Sequence, residues 1–532
     1  MTDALLRALS QRGTKRIWGV PGGGSSLDLI AAAPHHGIHF VLCRHEGAAA
    51  MAALADAELT GAPGVVLTTK GPGVGNAVNG LACATLERAP LLLVSDGFSA
   101  TQADWVTHQF FDQRAATAAV AKGYARCDSN DPVAEIEALL NLACAAPRGA
   151  VHLDLTGQAA RRQAEPKDFA PPAPLPPDPA ALDAARALLA GARKPVVIAG
   201  LEAAEASEAL RALVTALGCP VLVTCKAKGC VADADPHCVG VFTGGSLEAN
   251  CVGEADLILL AGLDPVELIP QPWRYTAPVL DIGLRPHPVH YIQPAVGLHG
   301  DLGASLAALA ADAAPSAWLL PVIGAHGDAM RAALAWAGSG GVAPPRVVQI
   351  AREEAGLHAG QATAPRATVD AGAHTFSATA FWACAAPRDL LISNGLASMG
   401  FALPAGIAAA LHDPARGAIA FTGDGGLMMC LGELATAFEA RARLVTIVFN
   451  DAALSLIDIK QQHRQLLPEG VRWGRVDFCT IAEGMGVLGL HADTEEMLRE
   501  ALAVALAFDG PSLIDVQVDP AGYPAQLQAL RG

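Results

Sequence analysis

The chain has 532 residues, a formal charge of −16 and 52% hydrophobic residues, enough apolar material for about three domain cores. Its acidic residues are dispersed and no basic stripe occurs, which excludes nucleic acid as an expected partner. No apolar run reaches the roughly 18–20 residues of a membrane span, and the N-terminus lacks the basic and apolar regions of a signal peptide, so a cytoplasmic protein with no membrane partner is expected.

In chain order, MTDALLRALSQRG reads as an amphipathic helix. A first block then alternates the apolar runs RIWGV, HFVLC, GVVLTT, LLLVSD and VHLDL with alanine-rich segments of helical character. Strands buried on both faces of a parallel sheet read as such continuous apolar runs. The proline-rich AEPKDFAPPAPLPPDP at 164–179 reads as a linker. A second block carries KPVVIAG, PVLVT, ADLILLAG and APVLDIG, and a second linker follows around GSGGVAPPR at 338–346. The third block carries ATVDAG, AIAFTGDGG, LVTIVFND and PSLIDVQVD. The expected fold is α/β, with three doubly wound parallel-sheet domains at 1–163, 180–315 and 343–532. The outer two match in length and strand count, which suggests a site assembled between them. Twelve cysteines are scattered singly with no zinc-type pair, the pattern of buried, reduced thiols.

The chemistry concentrates at AIAFTGDGGL, 418–427, where a buried-strand pattern ends in an aspartate between glycines. The C-terminal edge of a parallel strand is where α/β folds hold ligands; the same aspartate is also a plausible helix cap. A further strand, LVTIVFND, ends at Asn450 and Asp451. In a parallel sheet Asp424 and Asp451 emerge at one edge, and two hard oxygen donors suit Mg²⁺, which completes its shell with phosphate oxygens and water.

GDGG followed by an apolar strand and FND resembles the metal and diphosphate motif of thiamine-diphosphate-dependent enzymes, and SNGLASMGFALPAGIAAAL at 393–411 resembles the same superfamily. The resemblance spans the chain in the order pyrimidine-binding, central and diphosphate-binding domain, closest to the acetolactate synthase and 2-oxo acid decarboxylase branch. It implies thiamine diphosphate and Mg²⁺ as cofactors. Asp424, Asp451 and the Ala453 carbonyl would ligate the metal. Gly423, Gly425 and Gly426 would open the helix that meets the diphosphate, with Ala373 and His374 of DAGAHTF as a second diphosphate loop. VLCRHEGAAAMAALADA matches the family's strand, HE and small-residue helix, which casts Glu46 as the glutamate that protonates the pyrimidine and makes the cofactor reactive. On the same match the Ala397 carbonyl and Met399 hold and fold the cofactor. In this family the glutamate and the diphosphate site come from different subunits, so a homodimer or homotetramer is implied.

The departures bear on the reaction. Gly22 and Gly23 of VPGGGSS face the cofactor on the family pattern, and Gly23 stands where some decarboxylases place a serine. LTTKGPGVGN carries Thr69 at the position of a catalytic histidine of some decarboxylases, and Lys70 where acetolactate synthases have serine. Lys70 either neutralises a substrate carboxylate or stands as an exposed loop lysine. THQFFDQRA presents Gln109 toward the cofactor and His108 as the one histidine nominated for proton transfer; a histidine bonded to solvent or backbone is the alternative. The recognition tryptophan of acetolactate synthases is missing from NDAALSLIDIKQQHRQ, and AGLDPVELIP replaces the segment that helps seat FAD, which makes FAD doubtful. The resemblance thus implies a non-oxidative lyase or carboligase on a small 2-oxo acid: CO₂ leaves and the remaining enamine is captured by a second carbonyl compound. The alternatives are a simple decarboxylase releasing an aldehyde, an FAD-containing oxidase, and an inactive cofactor-binding homologue.

Overall fold

A computed structural model describes residues 1–127, 129–164, 175–268, 273–287, 292–359 and 363–531. Most of the linker expected at 164–179 lies outside them. Three six-stranded, all-parallel sheets follow one another along the chain. The first comprises β1 (Arg16–Val20), β2 (His39–Leu42), β3 (Gly64–Thr68), β4 (Leu91–Gly97), β5 (Tyr124–Ala125) and β6 (Ala150–Thr156), in the order β2-β1-β3-β4-β6-β5. The second comprises β7 (Pro195–Ala199), β8 (Val221–Val223), β9 (Cys238–Val241), β10 (Leu257–Ala261), β11 (Val279–Gly283) and β12 (Val296–His299), in the order β12-β11-β10-β7-β8-β9. The third comprises β13 (Arg366–Val369), β14 (Leu390–Ile392), β15 (Ala418–Gly423), β16 (Leu444–Asn450), β17 (Leu488–Ala492) and β18 (Ser512–Gln517), in the order β14-β13-β15-β16-β18-β17.

The outer sheets therefore share one strand order, and the central sheet has the order of a dinucleotide-binding fold. Central strands such as β3, β7 and β16 are buried along their whole length, as their unbroken apolar sequences require. The amphipathic pattern at the N-terminus forms the helix Thr2–Gln11, with Leu5, Leu6 and Leu9 in the core.

The two outer domains share one apolar core. The helices Glu46–Thr60 and Ala402–His412 pack together through Ala49, Ala50, Ala53, Ala402, Ala405 and Ala409. Alanines permit the close approach, and a methyl on Gly80 would overlap Ala50. All twelve cysteines are free, eight of them buried. No described helix is long and apolar enough to cross a membrane.

Candidate active site

The third sheet reverses direction between β13 and β15, and a crevice beyond their C-terminal ends is the expected ligand position. A cavity of about 270 Å³ lies there. It is lined by the segments that follow three strands: Ala371–His374 after β13, Gly423–Gly426 at the end of β15, and Asp451 with Ala453–Ile457 after β16. Ala397 and Met399 form one wall, and Lys460, Tyr523 and Arg531 another. Ten sequence-nominated residues thus meet in one cavity: Ala373, His374, Ala397, Met399, Gly423, Asp424, Gly425, Gly426, Asp451 and Ala453.

Asp424 starts the helix Asp424–Cys430. Its Oδ1 accepts from the Gly425 amide at 2.7 Å, and its Oδ2 is buried without a partner. Burial, then the neighbouring Asp451 carboxylate, push the Asp424 pKa up to about 7. Burial raises Asp451 to about 6, against a hydrogen bond from Ser455. Two carboxylates lining one cavity, near enough for the charge of Asp451 to raise Asp424, call for a cation. No cluster of three or more His, Cys, Asp or Glu side chains that could hold a metal exists among the described residues. The donor set here is instead two carboxylates plus backbone oxygen, which fits Mg²⁺ with phosphate and water completing its shell. His374 stacks on Phe449 at 5.0 Å, and burial lowers its pKa to about 4, so it is neutral at pH 7. Ala397 (φ +53°) and Ala452 (φ +56°) hold left-handed backbone at the cavity edge, a costly conformation for alanine that clusters at functional sites.

Asp370, which sequence reasoning passed over, ties the cavity together. Fully buried at the end of β13, it accepts from the amides of Gly400 at 3.0 Å and Phe401 at 3.1 Å, and from Thr422 Oγ1 at 2.9 Å. Burial raises its pKa to about 6. A methyl on Gly426 would overlap its carboxylate and approach Thr422 Oγ1 at 3.2 Å. Gly426→Ala is therefore expected to cost about 1–3 kcal/mol, read as a lowered melting temperature.

The first sheet repeats this geometry. Its reversal between β1 and β3 brings Gly22 against Thr69. Asp96 fixes the glycine loop, accepting from Ser25 Oγ at 2.8 Å, Ser26 N at 2.9 Å and Gly24 N at 3.3 Å. A methyl on Gly22 would overlap Asp96, whereas one on Gly23 meets nothing within 4 Å. The Lys70 ammonium lies 5.0 Å over the Phe98 ring. His108 and Gln109 are exposed, and Gln109 has φ +55°. Gln113, not foreseen, is buried; it accepts from Gly71 N at 2.7 Å and donates to Asp154 at 2.6 Å.

Glu46 opens the helix Glu46–Thr60, which His45 caps by accepting from Gly47 N at 3.0 Å. It is buried, and Asn76 Nδ2 donates to its Oε2 at 2.9 Å. Glu433 of the third domain steadies the preceding turn, accepting from Arg44 N at 2.9 Å and His45 N at 3.0 Å. Glu46 is nevertheless apart from the cavity, whose lining residues all fall between Ala371 and Arg531.

Glu87 joins all three domains. It accepts from Gly395 N at 2.8 Å, Ser393 Oγ at 3.1 Å and Leu396 N at 3.3 Å, and pairs with Lys226 at 3.3 Å. Lys226 also pairs with Glu58. The loop that Glu87 grips leads directly to Ala397 and Met399. Glu87→Ala would leave a buried lysine with one partner fewer and is expected to cost about 3 kcal/mol; thermal unfolding of the variant measures it.

Three family descriptions match the chain. The thiamine pyrophosphate enzyme N-terminal TPP binding domain covers residues 1–120, the central domain covers 182–309, and the C-terminal TPP binding domain covers 370–516. The chain belongs to the thiamine pyrophosphate enzyme family. It is 28% identical to an acetolactate synthase of Bacillus subtilis (strain 168), over 97% of this chain and 93% of that one. It is 29% identical to a probable 2-ketoarginine decarboxylase of Pseudomonas aeruginosa, over 97% and 93%. It is 27% identical to a pyruvate oxidase of Lactiplantibacillus plantarum, over 97% and 88%.

Proposed function

We propose that the protein is a non-oxidative, thiamine-diphosphate- and Mg²⁺-dependent lyase or carboligase acting on a small 2-oxo acid. The observation that carries this reading is the cavity beyond β13 and β15, which Asp424 and Asp451 line together and where one buried Asp424 carboxylate oxygen has no partner. Asp424, Asp451 and the Ala453 carbonyl would hold Mg²⁺. Ala373, His374 and the Gly423–Gly426 turn would hold the diphosphate, and Ala397 and Met399 the pyrimidine end. The cofactor, when bound, supplies the carbanion chemistry that releases CO₂ and passes the remaining fragment to a proton or a second carbonyl compound. Glu46, supplied by a partner subunit in a homodimer or homotetramer, holds the proton at the pyrimidine ring. Gln109 would face the cofactor, His108 would transfer a proton, and Gly23, Thr69 and Lys70 would border the substrate. A cytoplasmic setting would keep the free thiols reduced.

FAD is not part of this reading. The central sheet's reversal point, between β7 and β10, opens on a cavity of about 340 Å³. The segment after β7, Gly200–Ala206, lacks the glycine pattern of a dinucleotide site and carries Glu202 and Glu205 into that cavity. Arg88, Arg148, Lys226 and Arg388 line the same cavity, so the missing glycine pattern, and not the charge, speaks against a dinucleotide there. The purified protein is expected to be colourless, and a flavin absorbance spectrum would contradict this.

The test is CO₂ release from a panel of 2-oxo acids with thiamine diphosphate and Mg²⁺, with the organic products identified. Acyloin formation supports the carboligase. Aldehyde alone would make the protein a decarboxylase, the reading favoured by its likeness to the Pseudomonas aeruginosa protein. No release from any acid would overturn both.

A further inference from the structure

The cavity that holds the two aspartates has a wall that the sequence motifs do not include. The helix Tyr523–Arg531 brings Tyr523 and Arg531 to it. Positions 523, 527 and 531 share one helix face. Leu527 on that face packs with Ala373 and Ile459, next to the metal and diphosphate segments.

The helix is held rigidly. Gln526, buried, donates to Leu334 O and Ser377 Oγ, both at 3.1 Å. Tyr523 meets Trp336 edge to face at 5.7 Å, and Ser246 Oγ donates to Ala529 O at 2.8 Å. Arg531 is thereby fixed with its guanidinium 5.6 Å over the Phe376 ring, in the helix that follows the Ala371–Ala373 segment. Its Nε is buried and lacks a hydrogen-bond partner. No acidic side chain pairs with it among the described residues, and burial lowers its pKa with no anion to offset that.

A half-buried guanidinium held over an aromatic ring, beside a cavity and without an anion, is arranged to receive one. The charges of the cavity agree. Bound Mg²⁺ and the two aspartates cancel, and the diphosphate's own negative charge is left for other groups to meet. His374 is neutral there, and the basic side chains lining the cavity are Lys460, exposed, and Arg531.

We propose that Arg531 is an anion-binding arm of this site, donating from its guanidinium to the diphosphate of bound thiamine diphosphate. The proposal rests on the cofactor reading above. It makes the helix Tyr523–Arg531 part of the cofactor site and goes beyond the motifs that first located it.

The experiment is calorimetric titration of the full-length apoprotein, in Mg²⁺, with thiamine diphosphate and separately with inorganic diphosphate. Wild type is compared with Arg531→Gln and Arg531→Lys. Arg531→Gln is expected to weaken both ligands by about tenfold or more, and Arg531→Lys, which keeps the charge, to recover part of the loss. Unchanged affinity in Arg531→Gln overturns the proposal and leaves the cofactor reading standing. A loss shared in full by Arg531→Lys and accompanied by a lowered melting temperature of the apoprotein also overturns it, assigning the effect to helix packing. A wild-type protein that binds neither ligand overturns the proposal together with the cofactor reading.

Discussion

Glu46→Gln is expected to lower thiamine-diphosphate-dependent CO₂ release by about 10²–10⁴-fold, with cofactor affinity and melting temperature close to wild type. The expectation follows from how little else Glu46 does. It is buried at the start of its helix with a single side-chain partner, Asn76 Nδ2. A glutamine amide oxygen accepts that bond equally well. The helix start is kept by the His45 cap, and the turn before it by Glu433, so the isosteric change removes the exchangeable proton and little structure. Activity retained within a few-fold of wild type would remove Glu46 from the chemistry and leave it a helix-terminal carboxylate.

Asp424→Asn is expected to separate stability from cofactor binding. The Asp424 pKa is raised to about 7 in the folded protein, above its unfolded value. The folded apoprotein therefore holds this proton to higher pH than the unfolded chain does. The resulting destabilisation is absent below about pH 4, grows as pH rises through 7, and is then complete. At pH 8 burial of the charge and the neighbouring Asp451 together cost on the order of 4 kcal/mol. Asparagine removes that cost and also removes the charge a cation needs. The variant's apoprotein should thus melt no lower than wild type at pH 8, with any advantage vanishing near pH 4. Its Mg²⁺-dependent affinity for thiamine diphosphate should fall about a hundredfold, the sum of a lost ligand and a lost charge. An aspartate serving only as a helix cap gives the opposite pattern: normal cofactor affinity and no pH-dependent gain. Calorimetry and thermal melts across pH 4–8 distinguish the two.

The α/β class, the three-sheet plan and the family were legible because a parallel strand buried on both faces writes itself as an unbroken apolar run. The strands not foreseen were β5, β9, β12, β14 and β17, and every one lies at a sheet edge. There one side faces solvent or the strand is only two or three residues long, and β9, β12 and β17 are only partly buried, so the apolar signal fades. The site divides in the same way. Asp424 and Asp451 belong to a motif contiguous in sequence. Asp370 ends its strand in VDAG much as Asp424 ends its own in TGDGG, and that repeated pattern was the available signal for it. Glu87, Glu433 and Arg531 had none. They reach the site only through tertiary contacts spanning about 300 positions or more for the first two, or through the packing of a helix distant in sequence from the motifs.

We propose that each active centre takes Glu46 from one chain and the Asp424–Asp451 cavity from another. Mixing separately inactive Glu46→Gln and Asp424→Asn proteins, with dissociation and reassembly, tests it directly. In a symmetric dimer each mixed pair would contain one centre with both groups intact. Random reassembly at equal amounts should therefore restore about a quarter of wild-type CO₂ release. No recovery, under conditions where subunit exchange is demonstrated with wild type, would mean that both groups act within one chain and that no centre is shared.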